Sequence, residues 1–169
     1  MTTIVYKKGK WIAADKRAVG GEPWYRDETF KIFTLTWDNY KVYLWFSGRS
    51  QIKEIIDWVL SKHFSKKFDP SKLLEFRDDL SKSSFGNFGT ILVYHKLEWD
   101  AVDTIIRAFH IDEAWISEAY GDFAAAWTWS NWVDWILTAI PDIEPDKLFE
   151  LVSSKDLNTS STYDIINLI

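Results

Sequence analysis

Four β-type runs precede the first helical pattern in this chain, and that order narrows the available folds more than any other feature. "TTIVYK" and "WIAAD" flank the turn "KKGK", whose Gly9 marks a hairpin; "TFKIFTLTW" and "YKVYLWFSG" flank "DN" as a second one. The stretch between them, "RAVGGEPWYRDE", carries Gly20, Gly21 and Pro23 and reads as a loop. Next, "SQIKEIIDWVLSKHF" sets Ile52, Ile55, Ile56, Val59 and Leu60 at helical spacing behind Ser50 as N-cap, and "DPSKLLEFRDDL" opens a second helix with Asp69 and Pro70. "GTILVYHKLEWDAVDTIIRAFHIDEAWISEAYG" suits two or three strands, although "DAVDTIIRAF" alone also fits a helix. Beyond Gly121, "DFAAAWTWSNWVDWILTAI" predicts a helix stopped by Pro141, "EPDKLFELVSSKD" predicts another opened by Pro145, and "TYDIINLI" a closing strand. Strands, helices, strands, helices and a strand, without repeat or linker, predict an α+β fold of two antiparallel sheets covered by helices, not an alternating parallel α/β fold. At 169 residues and 47% hydrophobic, the chain has the apolar content for one domain over 1–169.

Several function classes drop out at this point. There is no apolar run of membrane-spanning length, and Lys7, Lys8 and Lys10 interrupt what would otherwise be a leader, so a cytoplasmic protein with no membrane partner is expected. With no cysteine, disulfides, thiolate metal sites and cysteine nucleophiles are excluded. A net charge of −5 argues against nucleic-acid partners; "SKHFSKKF" alone gathers basic residues, and it reads as a solvated helix end. His63, His95 and His110 lack metal-ligand spacing, no carboxylate pair marks a glycosidase, and no phosphate-cradling Gly-x-x-x-x-Gly-Lys motif occurs. The eleven tryptophans demand an aromatic core or broad contact surfaces. Trp127, Trp129, Trp132 and Trp135 spread over more than one face of the helix expected after Gly121, with Ala124, Ala125 and Ala126 allowing close packing. A thick core layer and a subunit contact fit that pattern equally; a membrane-surface role does not, since no basic face accompanies the tryptophans.

One residue is out of place by its own chemistry. In "KIFTLTW", alternation puts Lys31 on one side with Phe33, Leu35 and Trp37, and an ammonium on an apolar face needs an anion. Asp15, at the end of "WIAAD", is the natural partner, and Arg17 adds a further charge. Taken singly, each candidate has a plainer reading: Thr2 and Thr3 start a strand, "ADKR" is a strand ending in a turn, Lys31 reaches solvent from an edge, and Gly48 enters a helix.

As an ordered set these residues resemble the proteasome β-type subunits. "TTIVYKKGKWIAADKRA", "KIF", "FSGRSQIKEIIDWV", "AYGDFAAAW" and the "DLNTSS" stretch before the last strand are most similar to compact bacterial HslV-like members and to small proteasome-like proteins of bacteriophages. The likeness is strongest over the first fifty residues; over 65–118 only the element order matches. It implies a four-layer αββα sandwich of the N-terminal-nucleophile hydrolase type and a threonine-type peptidase. Thr2, freed by loss of Met1, is then the nucleophile and its α-amine the base. Lys31 helps keep that amine uncharged, Asp15 and Arg17 hold the charge cluster, and the Gly48 N–H serves the oxyanion. Asp156, Thr159 and Ser160 support the amine, while Phe33, Phe46 and Arg49 lie by the substrate pocket. The resemblance also implies a homo-oligomer, ringed in related assemblies, acting on protein or peptide substrates without a cofactor of its own, and fed by a separate ATP-driven unfoldase. One departure stands against turnover: where active relatives carry a Gly-Ser-Gly type turn before the long helix, the stretch matched to it is Ala119-Tyr120-Gly121. A silent member of the fold, acting as an interaction or inhibitory module through its tryptophans, is the alternative.

Overall fold

In the computed structural model, residues 3–19, 25–26, 31–48, 53–84, 88–96, 105–126, 130–156 and 159–168 are described. The first hairpin forms where Gly9 places it. Strands Ile4–Lys7 (β1) and Trp11–Asp15 (β2) pair antiparallel with Ile4 opposite Ala14 and Lys7 opposite Trp11. Gly9 turns the chain at φ 65°, a region open to glycine without steric cost. Inside the stretch expected as loop, Ala18–Val19 (β3) and Tyr25–Arg26 (β4) form a two-residue ribbon. The second hairpin joins Ile32–Trp37 (β5) to Tyr40–Gly48 (β6). Helix Lys53–Phe64 (α1), a 3-10 turn at Pro70–Lys72 and helix Leu73–Ser84 (α2) follow, then strands Phe88–Lys96 (β7), Ile106–Asp112 (β8) and Ile116–Glu118 (β9). The chain continues through strand Phe123–Ala126 (β10), helices Ser130–Ala139 (α3) and Pro145–Lys155 (α4), and strand Tyr163–Asn167 (β11). The class is α+β, with two antiparallel sheets and helices, and the chain divides into two compact units, Met1–Lys31 with Gly121–Ile169, and Ile32–Tyr120.

The first unit holds the sheet β10-β1-β2-β11. Alternation along β1 and β2 sends Val5, Trp11 and Ala13 to one face, where they pack with Val133 and Leu137 of α3 and with Leu148, Phe149 and Val152 of α4. Pro145 opens α4 at its first turn, and Asp156 closes it in extended conformation with its N–H on the Val152 carbonyl at 2.9 Å.

Here one expectation is overturned. Residues 123–126 do not begin the helix; they form β10, paired with β1 from Lys7 opposite Phe123 to Ile4 opposite Ala126. Alanine's helical preference is worth under about 1 kcal/mol per residue, less than the ladder and the burial gained by completing the edge of β1. The helix starts at Ser130, so Trp127 and Trp129 lie outside the described residues. Val133 and Leu137 are buried while Trp132 and Trp135 are exposed, which gives α3 one inward stripe. The residues directly before this helix are therefore 127–129, Trp127-Thr128-Trp129, and Ala119-Tyr120-Gly121 lies instead between β9 and β10.

The second unit holds the sheet β5-β6-β7-β8-β9. Residues 106–112 are strand, which decides the ambiguity of "DAVDTIIRAF" for its described part. Phe33, Val42, Leu44, Phe46, Leu92 and Phe109 on one face of this sheet cluster with Ile56, Val59, Leu60 and Phe64 of α1 and with Leu73, Phe76 and Leu80 of α2. Asp69 caps the 3-10 turn by accepting from the Ser71 N–H, as its position before Pro70 predicts; Ser50 lies outside the described residues. Among the described residues no helix is long and apolar enough to cross a membrane.

Helices α1 and α2 are tied by Asp79, which accepts from Lys62 Nζ at 2.5 Å and meets His63 Nε2 at 2.8 Å. The Lys62 and His63 bonds hold the Asp79 carboxyl down to about 2, below the ordinary 3.8. A depressed folded-state value means the stabilisation is whole above the unfolded value and is lost as pH falls through about 2. Thermal denaturation followed from neutral to strongly acid pH is thus expected to show Asp79→Ala less stable by about 1 kcal/mol at neutral pH, with the gap closing in acid.

Candidate active site

The end of β2 gathers a buried polar cluster inside the first unit. Asp15 is fully buried and accepts the Thr3 N–H on Oδ1 at 2.6 Å and the Arg17 N–H on Oδ2 at 3.0 Å. The Ser160 N–H and Lys31 Nζ approach the same Oδ2, each at 3.4 Å. Every one of these groups is a donor, an arrangement that suits the ionised carboxylate. Burial pushes the Asp15 carboxyl up from its ordinary value, and the Lys31 charge with the N–H groups of Thr3, Ser160 and Arg17 pulls it back.

Lys31 is 5% exposed, and its ammonium also donates to the Arg17 carbonyl at 2.5 Å. The sequence argument that this lysine needs an anion, and that Asp15 supplies it, is met by the structure. Arg17 enters in a different way from the one expected. Its peptide N–H and carbonyl bind Asp15 and Lys31, and its guanidinium reaches the Thr159 carbonyl at 3.4 Å.

A second arm comes from the loop after α4. The Thr159 hydroxyl donates to Asp156 Oδ2 at 2.6 Å and lies 2.7 Å from the Thr3 hydroxyl. Ser160 hydrogen-bonds the Thr162 hydroxyl at 2.7 Å while its N–H faces Asp15. Asp156, Thr159 and Ser160, at most 3% exposed, therefore meet Asp15 and Lys31 around one strand end.

Thr3 is the residue that the sequence reading passed over. It is 1% exposed, accepts the Asp15 N–H on its carbonyl at 3.1 Å, and gives its own N–H to the Asp15 side chain. The signal was present in the hairpin register: counting back from Gly9, with Ile4 opposite Ala14, puts Thr3 opposite Asp15. In an ordinary antiparallel pair the Thr3 N–H would go to the Asp15 carbonyl; the carboxylate takes that place.

Thr2 and Arg49 lie outside the described residues. Gly48 ends β6 opposite Phe88 in the second unit. Phe33 and Phe46 are buried in the cluster beneath α1 and α2, and Phe46 stacks on Phe88 with centroids 5.6 Å apart, so their observed contacts are those of core residues. Among the described residues no group of His, Asp and Glu is placed to hold a metal ion.

No protein-family model and no curated protein matches the sequence. Solved structures do match the fold. An Anbu (Gly-1) mutant from Hyphomicrobium sp. strain MC1 is 16% identical, with a TM-score of 0.75 over 99% of this chain and 81% of that one. The eukaryotic HslV from Trypanosoma brucei is 14% identical, with a TM-score of 0.61 over 99% of this chain and 98% of that one. A helical assembly of the Anbu complex from Pseudomonas aeruginosa is 12% identical, with a TM-score of 0.70 over 99% of this chain and 80% of that one. The chain shares the proteasome-like fold of Anbu and HslV.

Proposed function

We propose that the chain is a threonine-type peptidase subunit of a proteasome- or HslV-like assembly, with Thr2 as nucleophile after loss of Met1. The observation that carries this reading is the buried Lys31–Asp15 pair, anchored on the peptide N–H of the residue next to Thr2. A buried cation in that neighbourhood opposes protonation of a nearby amine and so favours its basic form. The free α-amine takes the Thr2 hydroxyl proton, Oγ1 attacks the substrate carbonyl carbon, and the peptide C–N bond breaks as the proton passes to the leaving amine. Water then hydrolyses the ester left on Thr2. Asp15 and Arg17 fix Lys31, while Asp156, Thr159 and Ser160 brace the same strand end.

In keeping with the helical Anbu assembly, the working form is a homo-oligomer confining protein or peptide substrate. Its chemistry takes no cofactor, a separate ATP-driven unfoldase supplies unfolded chains, and the protein works in the cytoplasm. Intact-mass measurement of protein from cells checks the reading: Met1 is lost, and a peptide epoxyketone directed at N-terminal threonine adds once to the parent and not to Thr2→Ala, which also loses peptide hydrolysis. A second reading, a silent interaction module, draws on the exposed Trp132 and Trp135 and on Trp127-Thr128-Trp129 directly before α3, where the resemblance calls for Gly-Ser-Gly. Retained Met1, with Thr2→Ala leaving the cellular effect intact, selects that second reading.

A further inference from the structure

The hydroxyl of Thr3 has a forced direction. The Thr159 hydroxyl spends its one proton on Asp156 Oδ2, so the proton shared between Thr159 and Thr3, 2.7 Å apart, comes from Thr3. Asp156, Thr159 and Thr3 thus form a one-way chain from a carboxylate at the end of α4 to the start of β1, spanning 156 residues of sequence. The main chain of Thr3 is held as well, its N–H by Asp15 Oδ1 and its carbonyl by the Asp15 N–H. Three hydrogen bonds in different directions leave residue 3 one backbone orientation and one side-chain rotamer.

We infer that Thr3 is a positioning residue of this site, its hydroxyl bond to Thr159 fixing the peptide that carries Thr2. The inference rests on the assignment of Thr2 as nucleophile. Packing alone does not call for the hydroxyl. Thr3 is fully buried at a strand start, and Val5, two residues on, belongs to the apolar cluster under α3 and α4, so valine would fill the same volume and suit the strand at least as well. Losing the Thr3 hydroxyl leaves Thr159 still bonded to Asp156, so no buried proton donor is orphaned and the fold persists. What disappears is the hydrogen bond from the side chain of residue 3 to Thr159 of the loop after α4. A reacting group one peptide bond away then samples orientations in which it is misplaced, and misplacement near 1 Å costs about 100-fold in rate.

The test measures kcat and KM for a fluorogenic peptide, and adduct formation with the epoxyketone, in the parent, Thr3→Val, Thr3→Ser and Thr2→Ala. Thr3→Val is expected to lose about 10- to 100-fold in kcat with KM within about two-fold of the parent, and to slow adduct formation alike. Thr3→Ser, which keeps the hydroxyl, is expected to recover most of the rate, while thermal midpoints stay close across the set. Thr3→Val at the parent rate, or Thr3→Ser as slow as Thr3→Val, overturns the inference while an inactive Thr2→Ala leaves the nucleophile in place. Thr2→Ala turning over like the parent, or a parent with neither turnover nor adduct, overturns the nucleophile assignment and the role of Thr3 with it.

Discussion

Lys31→Met is expected to lower folding stability by about 3–5 kcal/mol and, on the proposed peptidase reading, to abolish turnover, because it strands a carboxylate in the interior without its cation. Asp15 has no exposed surface, so water cannot replace the ammonium, and among the described residues three N–H donors remain to it. The loss carries a pH signature whose sign is set by the direction of the Asp15 shift. Burial already raises the Asp15 carboxyl above its ordinary value, and removing the Lys31 charge, the largest opposing influence, raises it further. A group raised on folding contributes stability that is whole below its unfolded value and is lost as pH climbs through its folded one. In Lys31→Met that loss runs to higher pH than in the parent. Chemical denaturation at a series of pH values from about 4 to about 8 is therefore expected to show the gap between parent and variant widening with pH. A gap independent of pH, or a variant as stable as the parent, would mean that the pair does not carry the buried charge.

How much of this was legible in the sequence depended on whether the signal was local. Both hairpins could be read because turn residues and alternation coincide: Gly9 adopts the left-handed turn, and Asp38 and Asn39 separate β5 from β6. The α4 boundaries were legible from Pro145 and from the apolar spacing of Leu148, Phe149 and Val152. Residues 123–126 were not, since three alanines carry no period, and what makes them a strand is the vacant edge of β1, more than a hundred residues earlier. Lys31 and Asp15 were found by a physical argument, that an ammonium on an apolar face must be paired, and the structure pairs them at 3.4 Å. Asp156, Thr159 and Ser160 entered only through the resemblance, because no spacing rule tells a loop after the last helix that it will return to the first strand. Thr3 was missed for a different reason: a threonine opening a strand is an ordinary strand residue until the register places it against Asp15.

The core of the first unit offers the other large effect. Phe149 has no exposed surface, packs with Val133, Leu137, Leu148 and Val152, and stacks on Tyr163 of β11 with ring centroids 4.8 Å apart. Phe149→Ala removes a whole ring from a face that two helices and a sheet share, at an expected cost of about 3–5 kcal/mol, whereas Phe149→Leu refills most of the volume and costs about 1 kcal/mol. Urea denaturation would show the alanine variant's midpoint displaced with its m-value unchanged, since a cavity alters stability and not the surface exposed on unfolding. The consequence reaches the site through α4, whose last turn presents Asp156. The Asp156 N–H bond to the Val152 carbonyl sits on the same helix as the cavity, so its amide exchange is expected to speed up well beyond that of amides in α1. Unchanged exchange at Asp156 in a clearly destabilised Phe149→Ala variant would separate the support of the strand end from the packing of α4, and would leave the Asp156–Thr159–Thr3 chain to be held by the loop alone.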